Sequence, residues 1–93
     1  MSKETIIDDL KEILMQVMEL SREEIDMISN DTDLVTSFDI SSIDAIEFII
    51  LIEKQFSIYI DDNQLGKELI QNMDHLSDII LKIKNNLVTQ QLQ

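Results

Sequence analysis

The chain has 93 residues, which suits one domain with a single core, and its hydrophobic fraction of 44% argues against disorder. It contains no cysteine, so it can form no disulfide and offers no thiolate metal ligand or thiol nucleophile. Nineteen acidic residues against seven basic residues give a formal net charge of −12. That charge argues against binding to nucleic acid or to an anionic membrane surface.

The negative charge is concentrated in the middle of the chain. Residues 23–62 include eleven acidic residues and one basic residue, Lys54. Such a stretch suits general solubility, or a surface that docks on basic patches of partner proteins at rates that depend on salt. Composition alone leaves both interpretations open.

No segment predicts export or membrane insertion. The N-terminal sequence MSKETIIDDLKE is charged from its start and lacks an unbroken apolar core. The longest apolar run, FIILI at residues 48–52, is far shorter than the roughly 20 residues that span a bilayer. We therefore expect a cytoplasmic protein, monomeric and without a membrane partner.

The first predicted helix runs from about residue 3 to about residue 20. Its apolar residues recur at helical spacing, with charged residues on the opposite face. These apolar residues are Ile6, Ile7, Leu10, Ile13, Leu14, Val17 and Met18. The next 20 residues show no pattern of a long element, and we expect an ordered loop in which Ser21 and Glu24 form a capping box for a single turn.

The second predicted helix begins at two adjacent serines and ends near Phe56. At about 100° per residue, its core face and its outward face are distinct. The predicted core face consists of Ala45, Phe48, Ile49, Ile52 and Phe56. The outward face consists of Asp44, Glu47, Leu51, Lys54 and Gln55, with Ile43 and Ile50 at its border. Mixed charged and aliphatic side chains favour docking, and a solvated face with a stray leucine is the alternative.

The rest of the chain predicts a connection with one short helix and then a final helix from about Asp74. The apolar stripe of that helix consists of Leu76, Ile79, Ile80, Ile83 and Leu87. Lys82 and Lys84 complement the negative end of its dipole, and residues 88–93 are expected to fray. The predicted fold is all-α: a single domain over residues 1–93 with its core at about 3–87, folded as a bundle of three longer helices and one short helix.

The two serines at the start of the second helix have different predicted roles. Ser41 as N-cap places Asp44 at the third helical position, which is the arrangement of a capping box. Ser42 then occupies the first helical position, where the helix does not need its hydroxyl and the hydroxyl can face solvent. A phosphodiester on Ser42 would lie at the positive end of the helix dipole, where anions are favoured.

This stretch resembles a known signature. Residues 42–48, Ser-Ile-Asp-Ala-Ile-Glu-Phe, are similar to the acyl carrier protein motif Asp-Ser-Leu-Asp-x-x-Glu-Leu, in which the serine carries 4′-phosphopantetheine. The order of elements also matches over residues 3–87: an early amphipathic helix, a loop containing Asp-Leu-Val at residues 33–35, the motif helix, a connection with a short helix, and a closing helix.

Three positions depart from the family pattern. Ser41 stands where aspartate is usual, Asp39 replaces a usual glycine, and Ile43 replaces leucine. Serine and aspartate are both good N-caps, and aspartate tolerates positive φ better than most residues other than glycine. These departures indicate a specialised carrier from a dedicated biosynthetic pathway.

The resemblance implies a carrier function without catalysis. A phosphopantetheinyl transferase would use coenzyme A and Mg²⁺ to attach 4′-phosphopantetheine to Ser42. The thiol of that arm would hold acyl intermediates as thioesters for acyl-loading, synthase or transferase enzymes of fatty-acid, polyketide or related biosynthesis. Basic patches on those enzymes would dock on one face of the motif helix. The implied docking residues are Ile43, Asp44, Ile46, Glu47, Ile50 and Leu51.

The sequence leaves two alternatives to an acyl carrier open. Ala45, at a position that is often small in aminoacyl and peptidyl carriers, permits a carrier of a non-ribosomal pathway. Ser41 in place of aspartate permits a carrier-fold interaction domain that is never modified.

Catalytic and metal sites find little support in the sequence. His75 is the only histidine, and nothing places it near Ser42 as a base. The acidic loop at residues 30–33 does not fit an EF-hand, because Thr36 and Ser42 occupy the sixth and twelfth positions from Asp31. We therefore expect no catalytic residue and no metal site.

Overall fold

The computed structural model describes residues 2–60 and 69–92, with side chains as far as residue 86. Within those residues the backbone forms α-helices and no strand. The helices are α1 (Lys3–Met18), α2 (Arg22–Asp26), α3 (Leu34–Phe38), α4 (Ser42–Phe56) and α5 (Met73–Leu92). The all-α prediction is confirmed, whereas the short helix predicted between α4 and α5 falls in a connection whose residues 61–68 lie outside the described residues.

Local capping contacts set the limits of α1 and α4. The Ser2 hydroxyl accepts a hydrogen bond from the Thr5 N–H at the start of α1. Glu19 ends α1 with φ 54°, and Ser57 ends α4 with φ 54°. A left-handed residue satisfies late carbonyls and turns the chain away from the helix. The predicted limits of the first and second helices are thereby confirmed to within two residues.

The loop between α1 and α4 contains two short helices where the sequence predicts a single turn. The predicted capping box of α2 is present, because Ser21 Oγ accepts from the Glu24 N–H and Glu24 Oε1 accepts from the Ser21 N–H. The second, α3, is an addition to the prediction. Asp33 caps it by accepting from the Thr36 N–H at 3.2 Å. Five residues are too few to show a helical period, which explains why the sequence did not reveal α3.

Backbone hydrogen bonds anchor this loop to the start of α5. The Leu34 N–H donates to the Gln71 carbonyl at 2.9 Å, and the Asp74 N–H donates to the Asn30 carbonyl at 3.0 Å. Both bonds join segments that are distant in sequence. The loop is therefore ordered, as predicted, and α3 is held at a fixed position just before α4.

One hydrophobic core joins the longer helices, with α1 packed against both α4 and α5. The core face predicted for α4 is confirmed at every position, since Ala45, Phe48, Ile49, Ile52 and Phe56 are all buried. On α5, Leu76 and Ile80 are buried, and Ile79 and Ile83 pack partly against the core. The side chain of Leu87 lies outside the described residues. Since the buried residues of α4 all lie on its core face, its opposite, outer face is left to solvent.

Two further features concern the ends of α5. Lys3 Nζ lies 2.6 Å from Asp74 Oδ1 and 2.9 Å from Asp78 Oδ1, which joins the first turns of α1 and α5. Hydrogen bonds that the Lys3 ammonium donates to the Asp74 and Asp78 carboxylates raise the pKa of Lys3 above its ordinary value. The backbone of α5 remains helical to Leu92, beyond the predicted end of the core, and fraying of its last turns stays a prediction.

Glu53 fixes the chain as it leaves α4. Its Oε2 accepts a hydrogen bond from the Ile60 N–H at 2.8 Å, and its carbonyl accepts from the Ile58 N–H at 3.1 Å. Both isoleucines are buried, so the extended segment is held against the last turns of the helix. A carboxylate is a stronger acceptor than a neutral group, and the Ile60 N–H would otherwise lack a partner in a partly buried place.

We predict that Glu53→Ala lowers the free energy of unfolding by about 1–2 kcal/mol, because it leaves the Ile60 N–H without its charged acceptor. Equilibrium urea unfolding measures the loss. Glu47→Ala is the matched control on the same helix, since Glu47 is exposed, and should change stability by less than about 0.5 kcal/mol. Equal losses in the two variants would contradict the role given to Glu53.

Candidate functional site

The start of α4 is built by a capping box that uses only one of the two serines. Ser41 is the N-cap, with extended backbone angles of φ −77° and ψ 168°. Its Oγ accepts from the Asp44 N–H at 3.1 Å, and Asp44 Oδ2 accepts from the Ser41 N–H at 3.3 Å. The box predicted from the sequence is confirmed, and it commits both side chains to the helix start.

Ser42 is the first residue of α4, and its side chain is exposed. Its hydroxyl forms no hydrogen bond to any residue in the described part of the chain. The backbone N–H groups of Ser42 and Ile43 belong to the first turn, where a helix provides no acceptor. A phosphodiester on Ser42 Oγ would therefore have two backbone donors beside it and the positive end of the helix dipole beneath it. This geometry fits a covalently attached anionic group.

Asp39 turns the chain between α3 and α4. Its backbone is left-handed, with φ 51° and ψ 49°, and its N–H donates to the Val35 carbonyl. The sequence suggested that this position could require positive φ, and the structure confirms it. The turn reverses the chain two residues before the N-cap, and so sets the direction in which Ser42 leaves the bundle.

We predict that glycine at position 39 stabilises the protein. Asp39→Gly should raise the free energy of unfolding by about 0.5–1 kcal/mol, because glycine adopts positive φ without a Cβ clash. Asp39→Ala keeps the Cβ and loses the tolerance of aspartate, so it should lower stability by about 1 kcal/mol. Asp39→Asn is the charge control and should lie close to the natural protein. Equal stability of the glycine and alanine variants, measured by thermal unfolding, would contradict this account.

The outer face of α4 carries exposed aliphatic residues beside acidic ones. Ile43, Ile46 and Ile50 are 71%, 46% and 43% exposed. Glu47 is exposed, whereas Asp44 is half-buried and held in the capping box. Isoleucines are usually buried in a chain of this size, so three exposed ones on one helix form an unusually apolar surface.

Leu51 differs from the sequence-based expectation of an exposed leucine. It is half-buried and packs against the hydrophobic core. It lies seven residues after Asp44 and so points in nearly the same direction from the helix axis, yet its side chain reaches the edge of the core. The expectation was wrong because a helical projection shows direction only, and a leucine at the edge of a core can fold back onto it.

Comparison with known proteins identifies the family. The chain matches the family model of the phosphopantetheine attachment site over residues 8–78. An acyl carrier protein of Coprothermobacter proteolyticus is 30% identical over 90 residues, which cover 97% of this chain and 100% of the relative. The chain belongs to the acyl carrier protein family. An acyl carrier protein of Lactobacillus acidophilus is 31% identical over 67 residues, covering 72% of this chain and 80% of that protein. No solved structure gives a significant match.

Membership confirms the resemblance seen in the sequence. The family carries covalently attached 4′-phosphopantetheine, and its members interact with synthase and transferase enzymes. The described part of this acyl carrier protein contains no helix long and apolar enough to cross a membrane.

The remaining candidate residues take part in local structural contacts. His75 is exposed in the first turn of α5, where its backbone N–H donates to Asn72 Oδ1. In the acidic loop, Asp31 accepts from the Ser29 hydroxyl and Asp33 caps α3. Among the described residues, no group of three or more histidine or acidic side chains is placed to hold a metal ion.

One exposed aromatic residue was missed in the sequence. Tyr59 is 70% exposed, between the buried Ile58 and Ile60, in the segment that Glu53 holds against α4. The alternation Ile-Tyr-Ile was the available signal, because side chains of an extended chain point to opposite sides in turn.

Proposed function

We propose that Ser42 carries the 4′-phosphopantetheine and that the protein presents acyl groups to enzymes of fatty-acid, polyketide or related biosynthesis in the cytoplasm. One observation carries the choice of residue. The Ser42 hydroxyl is exposed beside two backbone donors without an acceptor, whereas the Ser41 hydroxyl is occupied by the Asp44 N–H. The attached group supplies a terminal thiol, on which acyl groups are held as thioesters, in a chain that has no cysteine.

The protein is a substrate and a carrier in this proposal, and not a catalyst. In the attachment step, Ser42 Oγ forms a new bond to the phosphorus that bears the pantetheine arm of coenzyme A. The pyrophosphate P–O bond of coenzyme A breaks, adenosine 3′,5′-bisphosphate leaves, and the hydroxyl proton must pass to a base. No side chain in the described residues accepts a hydrogen bond from that hydroxyl. The base, like Mg²⁺, must therefore come from the phosphopantetheinyl transferase.

The partner enzymes dock on the outer face of α4 beside Ser42. We define the α4 docking surface as Ile43, Asp44, Ile46, Glu47 and Ile50. Leu51 belongs to its edge only, because it packs on the core. The carboxylates steer basic patches of partners into position, and the isoleucines supply affinity when they are desolvated.

The direct test is intact mass spectrometry of the whole chain. Incubation with coenzyme A, Mg²⁺ and a broad-specificity phosphopantetheinyl transferase should add one phosphopantetheine. No gain with several such transferases would contradict the proposal and favour a carrier fold that only binds proteins. A gain of two groups would contradict the single attachment point.

We predict that charge reversal on the docking surface weakens partner binding without disturbing the fold. Glu47→Lys should raise the KM of the carrier for the transferase by about 3- to 10-fold at low salt, because it places a cation against a basic patch. The effect should shrink in about 0.5 M salt, where charges are screened. Glu23→Lys makes the same charge change at an exposed position on α2 and should leave KM nearly unchanged. A loss of helical circular dichroism in Glu47→Lys would contradict a purely docking role.

A further inference from the structure

The charge of the α4 surface changes sign along the helix. Lys54, the single basic residue of residues 23–62, is exposed and lies seven residues after Glu47. Seven residues are about two turns and about 10 Å, so both side chains lie along one side of the helix. Ile50 lies between them, 43% exposed. The surface is therefore acidic near Ser42 and carries one exposed cation, Lys54, near its far end.

Within α4, neither Glu47 nor Lys54 has a residue of opposite charge three or four positions away. The positions three and four residues from Lys54 are Ile50, Leu51, Ser57 and Ile58. None of these has a carboxylate, and the ion pairs among the described residues involve Lys3 and Arg22 instead. The neighbouring carboxylate of Glu53 is bonded to the Ile60 N–H. Among the described residues, the Lys54 ammonium therefore has no carboxylate partner.

An exposed aromatic side chain follows the C-terminal end of α4. Tyr59 is 70% exposed, and the contact between Glu53 and Ile60 holds its segment against the last turns of α4. Aromatic and aliphatic side chains that remain exposed together favour burial against a partner. Tyr59 is thus an exposed aromatic residue in the segment that follows the Lys54 end of α4.

We propose that Lys54 is a specificity-determining residue of this carrier. It selects partner enzymes with a mixed patch, in which a basic group faces Glu47 and a carboxylate about 10 Å away faces Lys54. A uniformly basic patch places a like charge against Lys54 and binds less well. The inference rests on the proposed function, because it assumes that partners dock beside Ser42.

A structural role for Lys54 makes a different prediction. Lys54 lies in the last turn of α4, where a cation complements the helix dipole. Loss of that interaction would lower stability and leave KM unchanged at temperatures where every variant is folded. A change in KM at constant kcat is therefore the measurement that separates specificity from stability.

The experiment measures phosphopantetheinylation of the whole chain by a broad-specificity transferase with a basic carrier-binding patch. At low salt we expect Lys54→Gln to lower KM by about 2- to 3-fold and Lys54→Glu by about 5- to 10-fold, with kcat unchanged. The gain should fade in about 0.5 M salt. Unchanged KM in both variants, or a higher KM in Lys54→Glu, would overturn the proposal.

Gln55→Glu is the matched control. It changes the net charge by the same amount as Lys54→Gln, at an exposed neighbour about 100° around the helix. An equal fall in KM for Gln55→Glu would show that net charge alone matters, and this too would overturn the proposal. An unchanged KM supports a contact at Lys54.

A charge exchange with the transferase tests the contact itself. Each basic residue of the transferase patch is replaced in turn by glutamate. At least one of these transferase variants should have a lower KM for the natural carrier and a higher KM for Lys54→Glu. If no transferase variant shows both changes, the proposal is contradicted. If the natural carrier gains no phosphopantetheine, both the proposed function and this inference are contradicted. If attachment is normal but the natural carrier and the Lys54 variants have equal KM values, this inference alone is contradicted.

Discussion

Ser42→Ala is expected to abolish the gain of phosphopantetheine completely, whereas Ser41→Ala is expected to keep it. The two hydroxyls are adjacent in sequence but differ in their bonds. Ser41 Oγ accepts the Asp44 N–H at 3.1 Å, while Ser42 Oγ has no bond to a described residue and faces solvent. Only a hydroxyl that is free of the cap can enter the active site of a transferase without opening the helix.

The two variants should also differ in their effect on stability. Ser41→Ala removes an N-cap and should lower the free energy of unfolding by about 1 kcal/mol. Ser42→Ala removes an exposed hydroxyl at the first helical position and should change stability by less than about 0.5 kcal/mol. Thermal unfolding and intact mass spectrometry of the same samples therefore separate the structural serine from the modified one.

Ser41→Asp completes the comparison. Aspartate is an equally good N-cap, and it is the residue that the family signature has before the modified serine. We expect this variant to be as stable as the natural protein and to be modified on Ser42. Phosphopantetheine on Ser42→Ala, or its loss from both Ser41 variants, would contradict the assignment of the attachment point.

The start of α4 could be predicted because its determinants are local. Ser41 and Asp44 are three residues apart, and a cap of this kind depends on the sequence over a single turn. The buried face of α4 follows from a helical period over fifteen residues. Asp39 could be recognised as a candidate for positive φ only through the glycine of the family pattern, since its own sequence neighbours do not require a left-handed residue.

Features that depend on tertiary contacts could not be predicted from the sequence. The position of α3 is fixed by the bond from the Leu34 N–H to the Gln71 carbonyl, between segments far apart in the chain. Leu51 is drawn onto the core by its neighbours, although its helical position lies among polar residues. The exposure of Tyr59 depends on the bond between Glu53 and Ile60. Each of these follows from where two segments meet, which a single-element pattern does not encode.

Phe48→Ala is expected to have the largest effect on stability of any single substitution considered for α4. Phe48 is fully buried in the hydrophobic core, one residue after the docking carboxylate Glu47. Truncation of a buried phenylalanine to alanine costs about 3–5 kcal/mol, through lost burial and the cavity left behind. Domains of this size have a total stability of about 5–15 kcal/mol, so this change removes much of it.

The matched control lies two residues earlier on the same helix. Ile46 is 46% exposed on the α4 docking surface, and Ile46→Ala should lower stability by about 0.5–1 kcal/mol at most. Phe48→Leu retains most of the apolar volume and should cost about 1–2 kcal/mol, which keeps the test informative if the alanine variant does not fold. Urea unfolding should rank the three losses with Phe48→Ala first and Ile46→Ala last.

The KM for the transferase should rank Ile46→Ala and Phe48→Leu in the opposite order to their stability losses. The reason is that α4 presents one face to the core and the other to partners. At a temperature where both variants are folded, Ile46→Ala should raise the KM for the transferase, while Phe48→Leu should leave it nearly unchanged. A substitution on the inner face can affect modification only by reducing the folded fraction, which stability measurements already report. If Phe48→Leu raised KM as much as Ile46→Ala did, the division of α4 into a packing face and a docking face would be wrong.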